Sequence, residues 1–169
     1  MIWELSSSSD ARALSIVDGT GEFDGHGAHY SRRTPGSRTF TGVGREVVLV
    51  TACGRAVWAC VHQQTPKRRG TGESRGRDGK REDTRYVWRN NMFRNLGAGL
   101  SSALIREAVA VTRAEWVRRY GSLPSERLRT EIDTRRVRSS NPGYCYLMAG
   151  WVRDRMVGPK LYLLAPEEP

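Results

Sequence analysis

The chain has 169 residues and a formal net charge of +10, from 28 Lys and Arg against 18 Asp and Glu, with 38% of its residues apolar. That length predicts one domain able to bury a core of its own. No apolar run approaches the roughly 20 residues that span a bilayer. The opening MIWELSSSSDARAL also lacks the basic-then-apolar order of a signal peptide, so a cytoplasmic protein is expected.

In chain order, residues 1–28 read as a short helix or strand followed by the glycine-rich loop GTGEFDGHGA. Val47–Thr51 and Ala56–Gln63 are β-rich runs separated by a turn at Cys53-Gly54, the pattern of an antiparallel hairpin. Residues 66–85, PKRRGTGESRGRDGKREDTR, carry eight basic and four acidic residues and no large apolar one. A segment that cannot pack predicts a mobile basic loop. Tyr86–Phe93 restores a strand. From Leu100, apolar residues at 100, 104, 105, 108, 111, 116 and 117 recur at helical spacing until Gly121. Arg127–Asp133 is a further strand. Asn141–Ala149 reads as a helix with Asn141 as N-cap and Pro142 at its first position, and KLYLLAP as a last strand. This order predicts an α/β domain with helices packed on a mixed sheet.

Cys53, Cys60 and Cys145 form no CxxC pair, and one is left over under any disulfide scheme. They read as small buried hydrophobes in a reducing compartment. Trp58, Trp88 and Trp116 are core candidates. Trp151 is either core or a stacking surface for a base or cofactor, and His62 is a half-buried strand residue.

Nearly all the basic residues are arginine, whose planar fork binds two phosphate oxygens at once. The excess points to a polyanionic partner, most simply DNA; the alternative is a solvated Arg-rich surface. Candidate DNA contacts are Arg32 and Arg33, then Lys67, Arg68 and Arg69, and finally Arg135, Arg136 and Arg138. In RNLGAGLSS, Gly97 and Gly99 precede the long helix, whose first-turn N–H groups carry the positive end of its dipole. Arg94, Ser101 and Ser102 add charge and hydroxyls, so the turn is a candidate pyrophosphate cradle. Tyr144 and Tyr146 lie two apart on the short helix and so face different ways. Tyr146, four residues before Gly150-Trp151, is placed to donate a proton into a cleft.

The Arg-x-x-Gly-x-Gly run opening a long helix, with a tyrosine before a Gly-aromatic pair, resembles the GNAT N-acetyltransferase superfamily over about 120 residues. That resemblance implies a mixed, mostly antiparallel sheet with helices on both faces, and acetyl-CoA or a related acyl-CoA as donor. HYSRRTPG, FRN with LSSALIREA, TEID and VRSSNPGYCYLMAGW together resemble a narrower group, the phage Mom-type DNA-modification proteins. The founding member of that group converts adenine in DNA to a carbamoylmethyl derivative that shields phage DNA from restriction. The resemblance implies roles for His29, Tyr30, Ser101, Asp133 and either Tyr144 or Tyr146, in a protein of the bacterial host cytoplasm. The expected chemistry has Asp133 or His29 assisting deprotonation of an exocyclic amine on a flipped base, and Tyr146 protonating a leaving thiolate. A metal requirement stays open. Two other readings remain: a CoA-dependent N-acetyltransferase acting on a small-molecule or protein amine, and a non-enzymatic basic DNA-binding protein.

Overall fold

The computed structural model describes residues 2–32, 34–65 and 85–167. The expected mobile loop at 66–85 falls outside these residues up to position 84, and residue 85 opens a strand. The elements are β1 (Trp3–Ser6), α1 (Ala11–Asp18), a 3-10 turn (Gly21–Phe23), β2 (Arg45–Thr51), β3 (Ala56–Thr65), β4 (Arg85–Asn95), α2 (Ser101–Tyr120), β5 (Arg129–Asp133), α3 (Tyr144–Met148), β6 (Val152–Val157) and β7 (Lys160–Leu164). The strands form one seven-stranded sheet in the order β1-β2-β3-β4-β5-β7-β6. Every neighbouring pair is antiparallel except β4 and β5. The α/β class and the mostly antiparallel mixed sheet are therefore as expected.

Strand alternation divides the core. Val47, Leu49, Trp58 and Cys60 share a cluster with Leu104, Ile105 and Ala108 of α2 and with Tyr146, Trp151, Leu161 and Leu163. Their strand neighbours Val48, Val50, Val57 and Ala59 share a second cluster with Ala13, Ile16 and Val17 of α1. Two indoles of the first cluster are paired: Trp58 Nε1 donates to Thr112 Oγ1 at 3.0 Å, and Trp3 Nε1 to the Leu104 carbonyl at 3.0 Å, whereas the Trp88 and Trp151 N–H groups are buried without a partner among the described residues.

Three details differ from the sequence reading, and the choice it left open at Trp151 is decided. The strand β6 was not expected, because all six of its residues are exposed and VRDRMV shows no inward-facing apolar set. The short helix starts at Tyr144 rather than at Asn141. Asn141 accepts a hydrogen bond from Tyr144 N–H at 3.1 Å, and Gly143 has φ 82 and ψ 3. Those angles match the third residue of a type II turn, with Pro142 at the second. Trp151 is core and has no face for a ligand: it is 2% exposed and meets Tyr146 edge-on at 5.0 Å. Cys53 sits exposed in the β2–β3 turn rather than buried.

Gly143 seats α3 against the sheet. A Cβ there would lie 3.0 Å from Ile132 Cδ1 and 3.1 Å from Leu163 Cδ1. Gly143→Ala therefore combines a left-handed backbone penalty of about 1–2 kcal/mol with displacement of two core side chains. Gly158→Ala, at φ 56 with open space around the added atom, carries the backbone penalty alone. Urea denaturation should find Gly143→Ala the less stable of the two, and equal stabilities would show that α3 is not seated as described.

Candidate active site between β4 and β5

The parallel ladder between β4 and β5 is limited to Arg89↔Arg129 and Asn90↔Thr130. A bulge in β4 falls at the same place, with Asn90 opposite Cys60 and Met92 opposite Ala59. Asn91 is thereby pushed out of register, and a bulge re-aims the strand locally. The two strands part beyond this point and leave a gap in the sheet.

A cavity of about 180 Å³ occupies the gap. Asn91, Met92 and Phe93 form one wall and Thr130, Glu131 and Ile132 the other, with His29, Tyr30, Cys145 and Tyr146 closing the ends. Ile132 and Tyr146 belong to the α2 side of the sheet, whereas Glu131 belongs to the opposite side, so the cavity passes through the sheet. On the side of Glu131 it meets a wide, polar cleft of about 730 Å³. The cleft is walled by Tyr30, Ser31 and Arg32 and by residues 39–43, with Thr34 and Ser37, and floored by Gln63, Arg89, Glu131, Asp133 and Lys160. Tyr30, Ser31, Asn90, Asn91 and Glu131 line both spaces.

Asn90 holds this junction together. Its Nδ2 donates to the carbonyls of Ala59 at 2.9 Å and Met92 at 2.8 Å. Its Oδ1 accepts from the Tyr146 hydroxyl at 2.6 Å, and its own carbonyl accepts from Thr130 Oγ1 at 3.2 Å. Burial pushes the Tyr146 phenol well above its ordinary pKa, so the group keeps its proton. Tyr144 lies on the outer side of α3, 55% exposed and away from the gap.

His29 and Tyr30 stand together at the mouth, their rings 4.5 Å apart. Burial, helped by the charges of Arg94 and Arg136, brings the His29 imidazole down to about 4. Its Nδ1 accepts from Ser31 N–H at 3.2 Å and lies 2.8 Å from Ser31 Oγ. It is a neutral hydrogen-bonding group at pH 7 and a weak base. Burial and the carboxylates Asp133 and Glu131 push Tyr30 up to about 12. Asp133 lines the cleft but not the gap, and its carboxyl is held below the usual range first by Arg135, which bonds it at 3.4 Å.

The turn before α2 is built as a loop rather than around Arg94. Asn95 Oδ1 accepts from Gly97 N–H at 3.1 Å and Ala98 N–H at 2.8 Å, and Asn95 Nδ2 donates to Ser101 Oγ at 2.9 Å. Gly97 and Gly99 have φ 98 and 137. The Arg94 guanidinium turns away, donating to the carbonyls of Ile16 at 2.9 Å, Val17 at 3.1 Å and His26 at 3.2 Å. The cation nearer the turn is Arg55, whose Nη1 is 4.0 Å from where a Gly97 Cβ would lie. Leu100 is the N-cap of the helix and supplies no side-chain cap. Of the residues read as a pyrophosphate cradle, Arg94 therefore faces away, while Ser101 and the buried Ser102 stand on the first turn of α2, the part that could hold an anion.

Arg32 is not an outward-facing cation. It is 9% exposed, pairs with Asp18 at 2.6 Å, and donates to the carbonyls of Thr39 and Ser37 at 2.6 and 2.7 Å. It fixes the cleft wall. Arg136 lies over the Tyr30 ring at 5.9 Å and lines the cleft; Arg135 and Arg138 are exposed. Arg33, Lys67, Arg68 and Arg69 lie outside the described residues. Among the described residues no cluster of three or more His, Cys, Asp or Glu could hold a metal, and no helix is long and apolar enough to cross a membrane.

The residues missed from sequence are Asn90, Asn91 and Glu131. Asn91 Oδ1 is buried without a hydrogen-bond partner, facing a space where a ligand's donor would satisfy it. The available signal was the Asn-Asn pair inside YVWRNNMF, since asparagine is depleted in strands. No protein-family model, curated protein or solved structure matches the chain.

The low pKa of His29 has a stability consequence. The unfolded chain takes up a proton as pH falls through about 6.5, whereas the folded chain does so only near 4. Stability linked to His29 is complete above pH 6.5 and is lost between 6.5 and 4. The stability gap between wild type and His29→Gln in urea should therefore shift by roughly 1–2 kcal/mol against wild type from pH 7 to pH 5. A gap independent of pH would mean that the imidazole is not desolvated.

Proposed function

We propose that the protein is a GNAT-like transferase that modifies the exocyclic amine of adenine in DNA, in the manner of the phage Mom-type proteins it resembles. The observation that carries the reading is the gap between β4 and β5, which joins a narrow cavity holding a protonated tyrosine to a wide polar cleft. A strand order of β1-β2-β3-β4-β5-β7-β6 with one parting parallel pair, and helix residues in the clusters of both sheet faces, support the GNAT-like part. The net charge of +10 and the arginines near the cleft support DNA as acceptor.

An acyl-CoA-type donor supplies an activated carbon and a thiolate leaving group. The uncapped first turn of α2 would take its pyrophosphate, with Ser101, Ser102 and Arg55 nearby. Beyond Asn90 the strand β4 faces the gap without a β5 partner, so an extended, amide-bearing arm would lie along this edge. Tyr146 stands in the gap wall as a proton donor to the leaving sulfur, its phenol held by Asn90 and kept protonated by burial. Tyr30 stays protonated where the two spaces meet and orients what enters from the cleft. Glu131, at the same junction, is the carboxylate placed to accept a hydrogen bond from the incoming amine; Asp133 stands farther out in the cleft. An amine inside a duplex is out of reach of such a gap, so the base enters flipped or single-stranded.

Mass spectrometry of nucleosides from DNA of cells expressing the chain tests this directly. A new adenine-derived nucleoside is expected, falling by about 10²–10⁴ in Tyr146→Phe, while a thermal melt shows that the variant still folds. Unchanged nucleosides from cells making folded wild type would overturn the reading. Acyl-CoA turnover on small amines without DNA would favour an ordinary N-acetyltransferase instead.

A further inference from the structure

The sheet face that floors the wide cleft continues beyond it. Register places Arg129, Glu131 and Asp133 of β5, Lys160 and Tyr162 of β7, and Arg155 of β6 on this one side. The cluster built on α1 draws its strand residues from β2, β3 and β4, and the six side chains are half-buried or exposed. With Val152, Val157 and Leu164 between them, they make an open, charge-bearing strip that begins inside the cleft at Glu131, Asp133 and Lys160.

Tyr162 organises the outer part of the strip. Arg155 from β6 stands over its ring at 4.7 Å, and Arg129 from β5 at 5.8 Å. A guanidinium resting on an aromatic face has already lost much of its side-chain freedom, and the N–H groups along its edge keep the geometry that grips two phosphate oxygens. Carboxylates are interspersed. Arg155 Nη1 meets Asp154 at 2.9 Å, Lys160 pairs with Glu131, and Asp133 with Arg135. These are exposed or half-exposed pairs, whose exchange for a phosphate costs little. With Arg135 and Arg136 at the cleft, the cations outnumber the carboxylates. Arg129 and Arg155 come from β5 and β6, on either side of β7, so the two forks can engage separate phosphates.

We infer that this strip over β5, β7 and β6 is a track for a DNA backbone, with Arg129 and Arg155 as phosphate forks braced by Tyr162, leading the strand into the wide cleft at Lys160. The inference rests on the reading of the cleft as the site of a DNA base. It assigns the contact to residues outside the basic runs at 66–69 and 135–138.

Fluorescence anisotropy with labelled oligonucleotides, duplex and single-stranded, over a salt series tests it. The Arg129→Gln/Arg155→Gln variant should bind about tenfold or more weakly near 0.1 M salt. Its dependence of log affinity on log salt should flatten by about 1.8 for duplex or 1.4 for single strands. Tyr162→Leu should weaken binding while keeping the wild-type salt slope, since it removes the brace and no charge. Arg118→Gln, on α2, should change neither. If the double variant melts early, Arg155→Gln at its exposed site carries the test with half the slope change. Wild type that binds DNA, with both arginine variants unchanged in affinity and slope, overturns the track and leaves the DNA-modifying reading standing. Wild type that binds phosphatidylserine vesicles but neither oligonucleotide overturns both.

Discussion

The side chain of Asn90 is the constraint on which the site depends. A primary amide buried at 3% exposure must satisfy both ends of its polar group, and here each end does structural work. Its nitrogen bridges the carbonyls of Ala59 and Met92, which stabilises the bulge; its oxygen receives the Tyr146 hydroxyl, which fixes α3 against the sheet. Thr130 closes the same node from β5. The β4–β5 ladder ends here, and Tyr146 lines the opening that follows. An aspartate at this position would lack the donors for the two carbonyls, and a leucine would leave them unpaired along with the phenol.

The cleft wall depends on a second buried node. Residues 30–43 contain little that could form a core of their own, with Phe40 as their main apolar anchor against the α1 cluster. Arg32 supplies the missing order, binding Asp18 at the end of α1 and the carbonyls of Ser37 and Thr39. Asp18 also accepts from Gly36 N–H at 3.0 Å, so one ion pair closes the loop at several points. Removing either partner would leave the other charge buried and unpaired, which is costly. The arginine reads as a phosphate contact in the sequence because its charge is visible there and its partners are not.

The same contrast governs what was legible in the chain as a whole. The β2–β3 hairpin is readable as two continuous β-rich runs, buried on both faces, and α2 because its apolar residues recur at helical spacing. The strand β6 buries nothing and so carries no such record; only its pairing with β7 makes it a strand. Asn-Pro-Gly at 141–143 serves equally as a helix start and as a type II turn, and packing of Gly143 against Ile132 and Leu163 decides between them. At the site, His29, Tyr30 and Tyr146 were readable as reactive types, and the fold brings them to one gap. Arg94 and Asn90 were misread or missed because their roles depend on partners tens of residues away, the carbonyls of Ile16, Val17 and His26 for Arg94 and Ala59 and Tyr146 for Asn90.

The division of β5 and β7 into two faces explains how one thin layer serves both stability and chemistry. Ile132, Leu161 and Leu163 point into the α2 cluster, and their strand neighbours Glu131, Lys160 and Tyr162 point into the polar face. A one-residue slip in register would exchange the two sets, burying charges and exposing the core, so the apolar face locks the positions of the polar one. The charged face can then differ in composition at little cost to the fold, because its side chains are solvated in either case. The edge at β6 gains from the same arrangement. Arg153, Asp154 and Arg155, with a bulge between Arg153 and Arg155, give the outermost strand a charged and irregular border that resists pairing with another chain. Charge placed there discourages edge-to-edge association while adding to the positive strip that borders the cleft.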